Sequence, residues 1–189
     1  MKWISLFVFK LLGWKIKGVL PPEIKQCVIV AAPHTSNWDF IIGRLAYFIM
    51  GVPVRFLIKK EAFKSPYAGL LRRMGGIAVD RSRSNNLVEE VASLFDKHKV
   101  LFVVITPEGT RKLVHQWRKG FYYIALKAHV PVALGYVDYK KKEGGFGPVF
   151  YPSGDYEADF DTIREFYKTK TARNPEKFNL SPQYISSKG

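Results

Sequence analysis

The chain has 189 residues, 47% of them apolar and 15% aromatic, with a single cysteine. That is enough apolar chain for one domain with a sizeable core, and it excludes a disordered polymer, a disulfide framework and a cysteine-rich zinc site. With 30 Lys+Arg against 16 Asp+Glu, the net charge of +14 suits a polyanionic partner (nucleic acid, an anionic membrane surface or phosphorylated small molecules) or else marks a basic solvated surface.

Trp3 to Trp14 reads W-I-S-L-F-V-F-K-L-L-G-W. It is too short to span a bilayer, which needs about 20 apolar residues. No small-residue cleavage site follows it, as a signal peptide would require. With tryptophans at both ends it reads either as a helix packed on the domain or as an interfacial helix, and it is set apart as residues 1–14. Lys15 to Val19 alternates and predicts a short strand, and Pro21-Pro22 a loop.

Gln26 to Ala32 predicts a buried strand, Trp38 to Met50 a helix ending at Gly51, and Val54 to Ile58 a second strand. A short helix over Ser65 to Met74 stops at Gly75-Gly76, and Ile77 to Val79 is a short strand. Asn86 to Lys97 is an amphipathic helix with Leu87, Val88, Val91, Leu94 and Phe95 on one side. Val100 to Ile105 is an apolar strand, Phe121 to Ala128 a helix, and Pro131 to Val137 a strand, with a last short strand over Pro148 to Tyr151. A helix over Ala158 to Ala172 closes the domain, residues 15–173, and the tail 174–189 is polar and loose. Cys27 lies within an apolar run and reads as a packing residue, which is compatible with a reducing, intracellular compartment.

Buried strands alternating with helices predict a single α/β domain with a central, largely parallel, mixed sheet flanked by helices. In such sheets ligands gather at the carboxyl ends of strands. Three polar loops fall there: His34 to Asp39, Asp80 to Arg83 and Pro107 to Arg111. In the first, two readings of Pro33-His34-Thr35-Ser36-Asn37-Trp38-Asp39 stand side by side. His34 in the loop with Asp39 in the first helical turn would make a proton-transfer pair, the carboxylate fixing the imidazole. Ser36-x-x-Asp39 would equally make a capping box with His34 merely solvated.

Arg81 and Arg111 each follow a strand, and two guanidinium groups at one sheet edge would clamp a phosphate. Glu108-Gly109-Thr110-Arg111 is either a ligand loop, with glycine admitting close backbone approach, or a turn with a local ion pair. Trp117-Arg118-Lys119-Gly120 opens a helix with cations close by, a plausible anion site and an ordinary basic terminus alike. There is no G-x-S-x-G, no G-x-x-x-x-G-K-[ST] and no H-E-x-x-H, so no serine-hydrolase elbow, P-loop or metal site is inferred.

His34-x-x-x-x-Asp39, then Gly76-Ile77-Ala78-Val79-Asp80-Arg81, then Pro107-Glu108-Gly109-Thr110-Arg111, then Val130-Pro131-Val132 resembles, in order, the four blocks of the glycerolipid acyltransferases. The lysophosphatidic acid (1-acyl-glycerol-3-phosphate) acyltransferase branch is the nearest in look, over roughly Lys15 to Val137. The resemblance implies a glycerol-3-phosphate acyltransferase-like fold, with His34 as general base, Asp39 as its orienter, and Gly76, Arg81, Glu108, Gly109, Thr110 and Arg111 as the acceptor site. It implies an acyl thioester on coenzyme A or acyl carrier protein as co-substrate, a lysophospholipid acceptor, no metal or other cofactor, and a peripheral place on the cytoplasmic face of a membrane. Pro33 departs from the asparagine usual before the histidine, which leaves the acceptor open to another lysolipid or an amino-acid-derived lipid. The rival reading is a non-catalytic basic module for anionic lipid or nucleic acid; it accounts for the charge but not for the order of motifs, and no nucleic-acid signature is present.

Overall fold

The computed structural model describes residues 1–80 and 84–180 of the chain. Seven strands form one sheet: β1 (Lys15–Ile16), β2 (Gln26–Ala31), β3 (Val54–Lys59), β4 (Gly76–Val79), β5 (Leu101–Ile105), β6 (Val132–Asp138) and β7 (Glu143–Phe150), in the order β1-β7-β6-β2-β5-β3-β4. Every pairing is parallel except β6 with β7. The helices are α1 (Lys2–Leu11), α2 (Asn37–Met50), α3 (Ala68–Arg73), α4 (Ser84–Lys97), α5 (Gly120–Lys127) and α6 (Tyr156–Tyr167). Among the described residues no helix is long and apolar enough to cross a membrane.

The strands read as continuous apolar runs because both faces of the sheet are covered. In β2, Val28 and Val30 enter a core with Val91 and Phe95 of α4, Phe121 and Ile124 of α5, and Ile163 and Tyr167 of α6. Cys27 and Ile29, one residue out of phase, face Tyr47 of α2 together with Val54, Phe102 and Phe146. Phe9 of α1 and Trp14 pack on Ile42 and Ala46 of α2 in a third, smaller cluster.

Strand order places the site. The connection leaving β2 runs over α2 toward β3, on one side, whereas the one leaving β5 runs over α5 toward β6, on the other. Adjacent parallel strands whose connections part in opposite directions leave a crevice beyond their carboxyl ends. That crevice receives the loop after β2, with His34, and the loop after β5, with Glu108. A second opening lies alongside it. The β3–β5 pairing ends at Phe56 and Val104, after which β3 continues with β4 and β5 with β2 alone.

Three elements differ from the sequence expectation. β7 is eight residues long and starts at Glu143, not at Pro148. Its glycines are weak strand formers, but a Cβ on Gly145 would lie 2.1 Å from the Lys17 carbonyl oxygen and one on Gly147 2.2 Å from the Phe166 ring, so close packing sets them. α6 stops at Tyr167, five residues before Ala172, and the chain beyond turns back toward the site. Nor is the start of the tail loose: Asn174 donates two hydrogen bonds to Thr35, and the Phe178 ring lies 6.3 Å from that of Trp117.

Candidate active site

The loop after β2 forms the capping box read from its sequence, and the same carboxylate stands near His34. Ser36 is the N-cap of α2, its Oγ accepting from the Trp38 N–H at 3.2 Å, and Asp39 Oδ2 accepts from the Ser36 N–H at 2.7 Å. The same Oδ2 accepts from the Thr35 N–H at 2.6 Å and stands 3.8 Å from His34 Nδ1. At that distance the two make no hydrogen bond, and they pair by charge when the imidazole is protonated. Asp39 Oδ1 accepts from the Tyr139 hydroxyl at 2.8 Å. The carboxylate, 7% exposed, is thus supplied with donors on both oxygens.

The loop after β5 supports the histidine from behind. Glu108 is 2% exposed, and its Oε1 accepts from the His34 backbone N–H at 2.7 Å. Its Oε2 is buried with no hydrogen-bond partner among the described residues. Burial pushes the Glu108 carboxyl up to about 7; the bond from His34 opposes the rise and the Asp39 charge adds to it. His34 moves the other way. Burial lowers its pKa below the ordinary 6.5, Asp39 pulls it back up, and Arg111 lowers it further. Nδ1 is the ring nitrogen that faces Asp39, which leaves Nε2 clear of the carboxylate.

Gly109 has φ 67°, a left-handed conformation that favours glycine, and a Cβ there would sit 2.9 Å from Arg118 Nε. Arg118 thus lies over the glycine and reaches the same cavity. The Arg111 Nη1 donates to Asn37 Oδ1 in the first turn of α2, joining the two loops.

A cavity of about 640 Å³ opens beside His34, Gly109 and Arg118. Phe56 and Leu57 of β3 and Val104 and Ile105 of β5 line it. Gly43, Tyr47 and Met50 of α2 line it from one face of the sheet, and Leu87 and Val88 of α4 with Phe121 and Ile124 of α5 from the other. A largely apolar cavity with a few polar groups at its mouth is the general form of a small-molecule site.

Of the residues singled out from the sequence, His34, Asp39, Glu108, Gly109 and Arg111 come together. Gly76 does not: it lies at the amino end of β4, away from the strand's carboxyl end, and does not line the cavity. Its missing Cβ leaves room for Ile58, the Leu71 carbonyl and Phe63. Thr110 is exposed and its Oγ1 accepts from the Lys112 N–H at 3.3 Å, a local turn bond. Arg81 lies outside the described residues. Sequence reasoning missed Tyr139 as a partner of Asp39, because the hydrogen bond spans 100 residues and no motif marks its far end.

Fold and site define an α/β protein with a histidine–carboxylate pair at the carboxyl edge of a parallel sheet. Residues 16–134 match the sequence model of the Acyltransferase family, and the chain belongs to that family. No curated protein matches the sequence. Among solved structures it is similar to the crystal structure of the 1-acyl-sn-glycerophosphate (LPA) acyltransferase PlsC from Thermotoga maritima, with a TM-score of 0.60 and 19% identity, over 89% of this chain and 75% of that one. The mixed, largely parallel α/β fold and the acyltransferase resemblance read from the sequence are both borne out.

Proposed function

We propose that this chain is a glycerolipid O-acyltransferase, moving a fatty acyl group from an acyl thioester of coenzyme A or acyl carrier protein to a hydroxyl of a lysophospholipid, with 1-acyl-glycerol-3-phosphate the first acceptor to test. The observation that carries the reading is the His34 imidazole, 3.8 Å from the Asp39 carboxylate, lining a largely apolar cavity of about 640 Å³ that the Arg118 guanidinium also lines. An apolar channel suits an acyl chain, and guanidinium groups suit a phosphate.

In this reading His34 Nε2 takes the proton of the acceptor hydroxyl as its oxygen attacks the thioester carbonyl carbon. The new C–O bond gives a tetrahedral oxyanion. Its collapse breaks the C–S bond, and the departing thiolate takes the proton back from the imidazolium. Asp39 stabilises that imidazolium by charge across 3.8 Å. The PlsC likeness supports the lysophosphatidic acid branch, because that protein is an LPA acyltransferase.

A membrane surface suits both the substrates and the shape of the protein. α1 leaves Trp3, Ile4, Phe7 and Leu11 exposed, Trp38 and Ile41 of α2 are also exposed, and the chain carries a +14 charge. Apolar anchors with basic charge are the requirements of a peripheral protein on anionic lipid.

The test is thiol release from acyl-coenzyme A and acyl carrier protein on anionic vesicles, with and without lysophosphatidic acid, for the native protein and His34→Ala. Release that needs both the acceptor and His34 is expected. Equal release by folded His34→Ala overturns the histidine's role, and free fatty acid without acylated acceptor makes the protein a hydrolase.

A further inference from the structure

The Asp39 carboxylate has two kinds of support. Oδ2 is held by the backbone N–H groups of Thr35 and Ser36, both within its own loop. Oδ1 is held from outside, by the Tyr139 hydroxyl at 2.8 Å. Tyr139 follows the carboxyl end of β6 and is itself tightly placed. Its N–H donates to the Thr171 carbonyl at 2.9 Å, and its ring meets Trp14 edge-on at 5.1 Å. The Arg173 guanidinium lies beside the phenol, 5.8 Å from its ring centroid and 5.4 Å from that of Trp38. One residue on, Asn174 binds both the Oγ1 and the carbonyl of Thr35. The strap after α6 therefore grips both the loop carrying His34 and the tyrosine that holds Asp39. None of Tyr139, Arg173 and Asn174 falls within the residues matched to the family.

We propose that Tyr139, with the Arg173 guanidinium over its ring, is a positioning residue of the His34–Asp39 pair: its O–H fixes the plane of the carboxylate and offsets part of the negative charge facing the imidazole. The proposal rests on the acyl-transfer reading above. Tyr139 does not line the cavity beside His34, so its loss acts on the chemical step and not on substrate binding. The charges around His34 fix the sign. Asp39 lies on one side with the Tyr139 phenol and Arg173 behind it, and Glu108, Arg111 and Arg118 approach from the loop after β5. Removing the phenol's donor leaves the Asp39 charge less compensated, which favours the imidazolium and moves the loss of activity at low pH to higher pH.

Tyr139→Phe keeps the ring against Trp14. The expected result is a kcat lower by about tenfold or more, an unchanged KM for lysolipid, and an acidic limb of the pH–rate profile displaced upward. The midpoint of the His34 ring-proton NMR titration should move the same way. Native kcat with an undisplaced limb overturns the proposal, as does a proportional rise in KM alone. Should Tyr139→Phe fail to fold, Arg173→Ala removes the cation beside the phenol and gives a smaller displacement of the same sign; none would overturn it equally. If the native protein shows no His34-dependent release at all, the acyl-transfer reading falls. The coupling is then decided by the NMR titration, where coincident native and variant curves refute it.

Discussion

Replacing Glu108 by Gln removes one titration while keeping an acceptor for the His34 N–H. In the folded protein the carboxyl is pushed up to about 7, against 4.5 for the free side chain. Between those values the unfolded chain has released its proton and the folded protein still holds it. Stability therefore falls as pH rises, and levels off once the folded carboxyl also ionises. With each pKa unit worth roughly 1 kcal/mol or slightly more, the native protein should lose roughly 2 to 3 kcal/mol relative to Glu108→Gln between about pH 5 and about pH 8. The cost of placing an amide N–H₂ where Oε2 has no partner is the same at every pH and drops out of that change, as do all titrations common to the two proteins. Urea unfolding followed by tryptophan fluorescence at several pH values measures it. Parallel stability curves would show that Glu108 is ionised in its pocket from the outset and would refute the reasoning.

Two further outcomes follow from the packing. Gly43 lines the cavity on α2, and a Cβ there meets nothing within 4 Å. Gly43→Leu should raise the thermal midpoint slightly, since glycine costs a helix interior about 1 kcal/mol, while shifting preference in an acyl-thioester chain-length series toward shorter chains; an unaltered preference would remove Gly43 from the acyl path. Cys27 is fully buried and its thiol is pushed up to about 12, so an aromatic disulfide reagent should modify it only at the rate of unfolding. Rapid modification of the native protein would contradict its place between β2 and the α2 core.

The parts of the fold legible in the sequence were those with a short period. β2, β5 and β6 show as apolar runs, and α4 as a stripe beginning at Leu87. β7 was obscured because Gly144, Gly145 and Gly147 carry no strand signal, and the approach of the Lys17 carbonyl to Gly145 and of Phe166 to Gly147 comes from elsewhere in the chain. The site divides in the same way. His34, Glu108 and Arg111 lie in two short loops, and Asp39 in the helical turn that follows the first; their convergence follows from parallel topology. Gly76 sits in a motif but serves packing against Ile58 and Phe63. Tyr139 and Arg173 act on Asp39 and Trp38 through tertiary contacts alone, and no spacing announces those.

The strand order also fixes when the molecule becomes whole as it is synthesised. β2, with the histidine loop at its end, lies between β5 and β6, so one edge waits for residue 101 and the other for residue 132. β1 finds its neighbour only at residue 143. Parallel strands separated so far in sequence form slowly, because a long loop must be closed before any ladder bond compensates. Until β5 is made, from residue 101 on, the Cys27–Ala31 run is an unpaired apolar strand, while α1, made before it, carries Trp3, Ile4, Phe7 and Leu11 on its outer side. A nascent chain in that state is exposed to aggregation, and a nearby bilayer or a chaperone holding its first fifty residues would shelter it until β6 arrives.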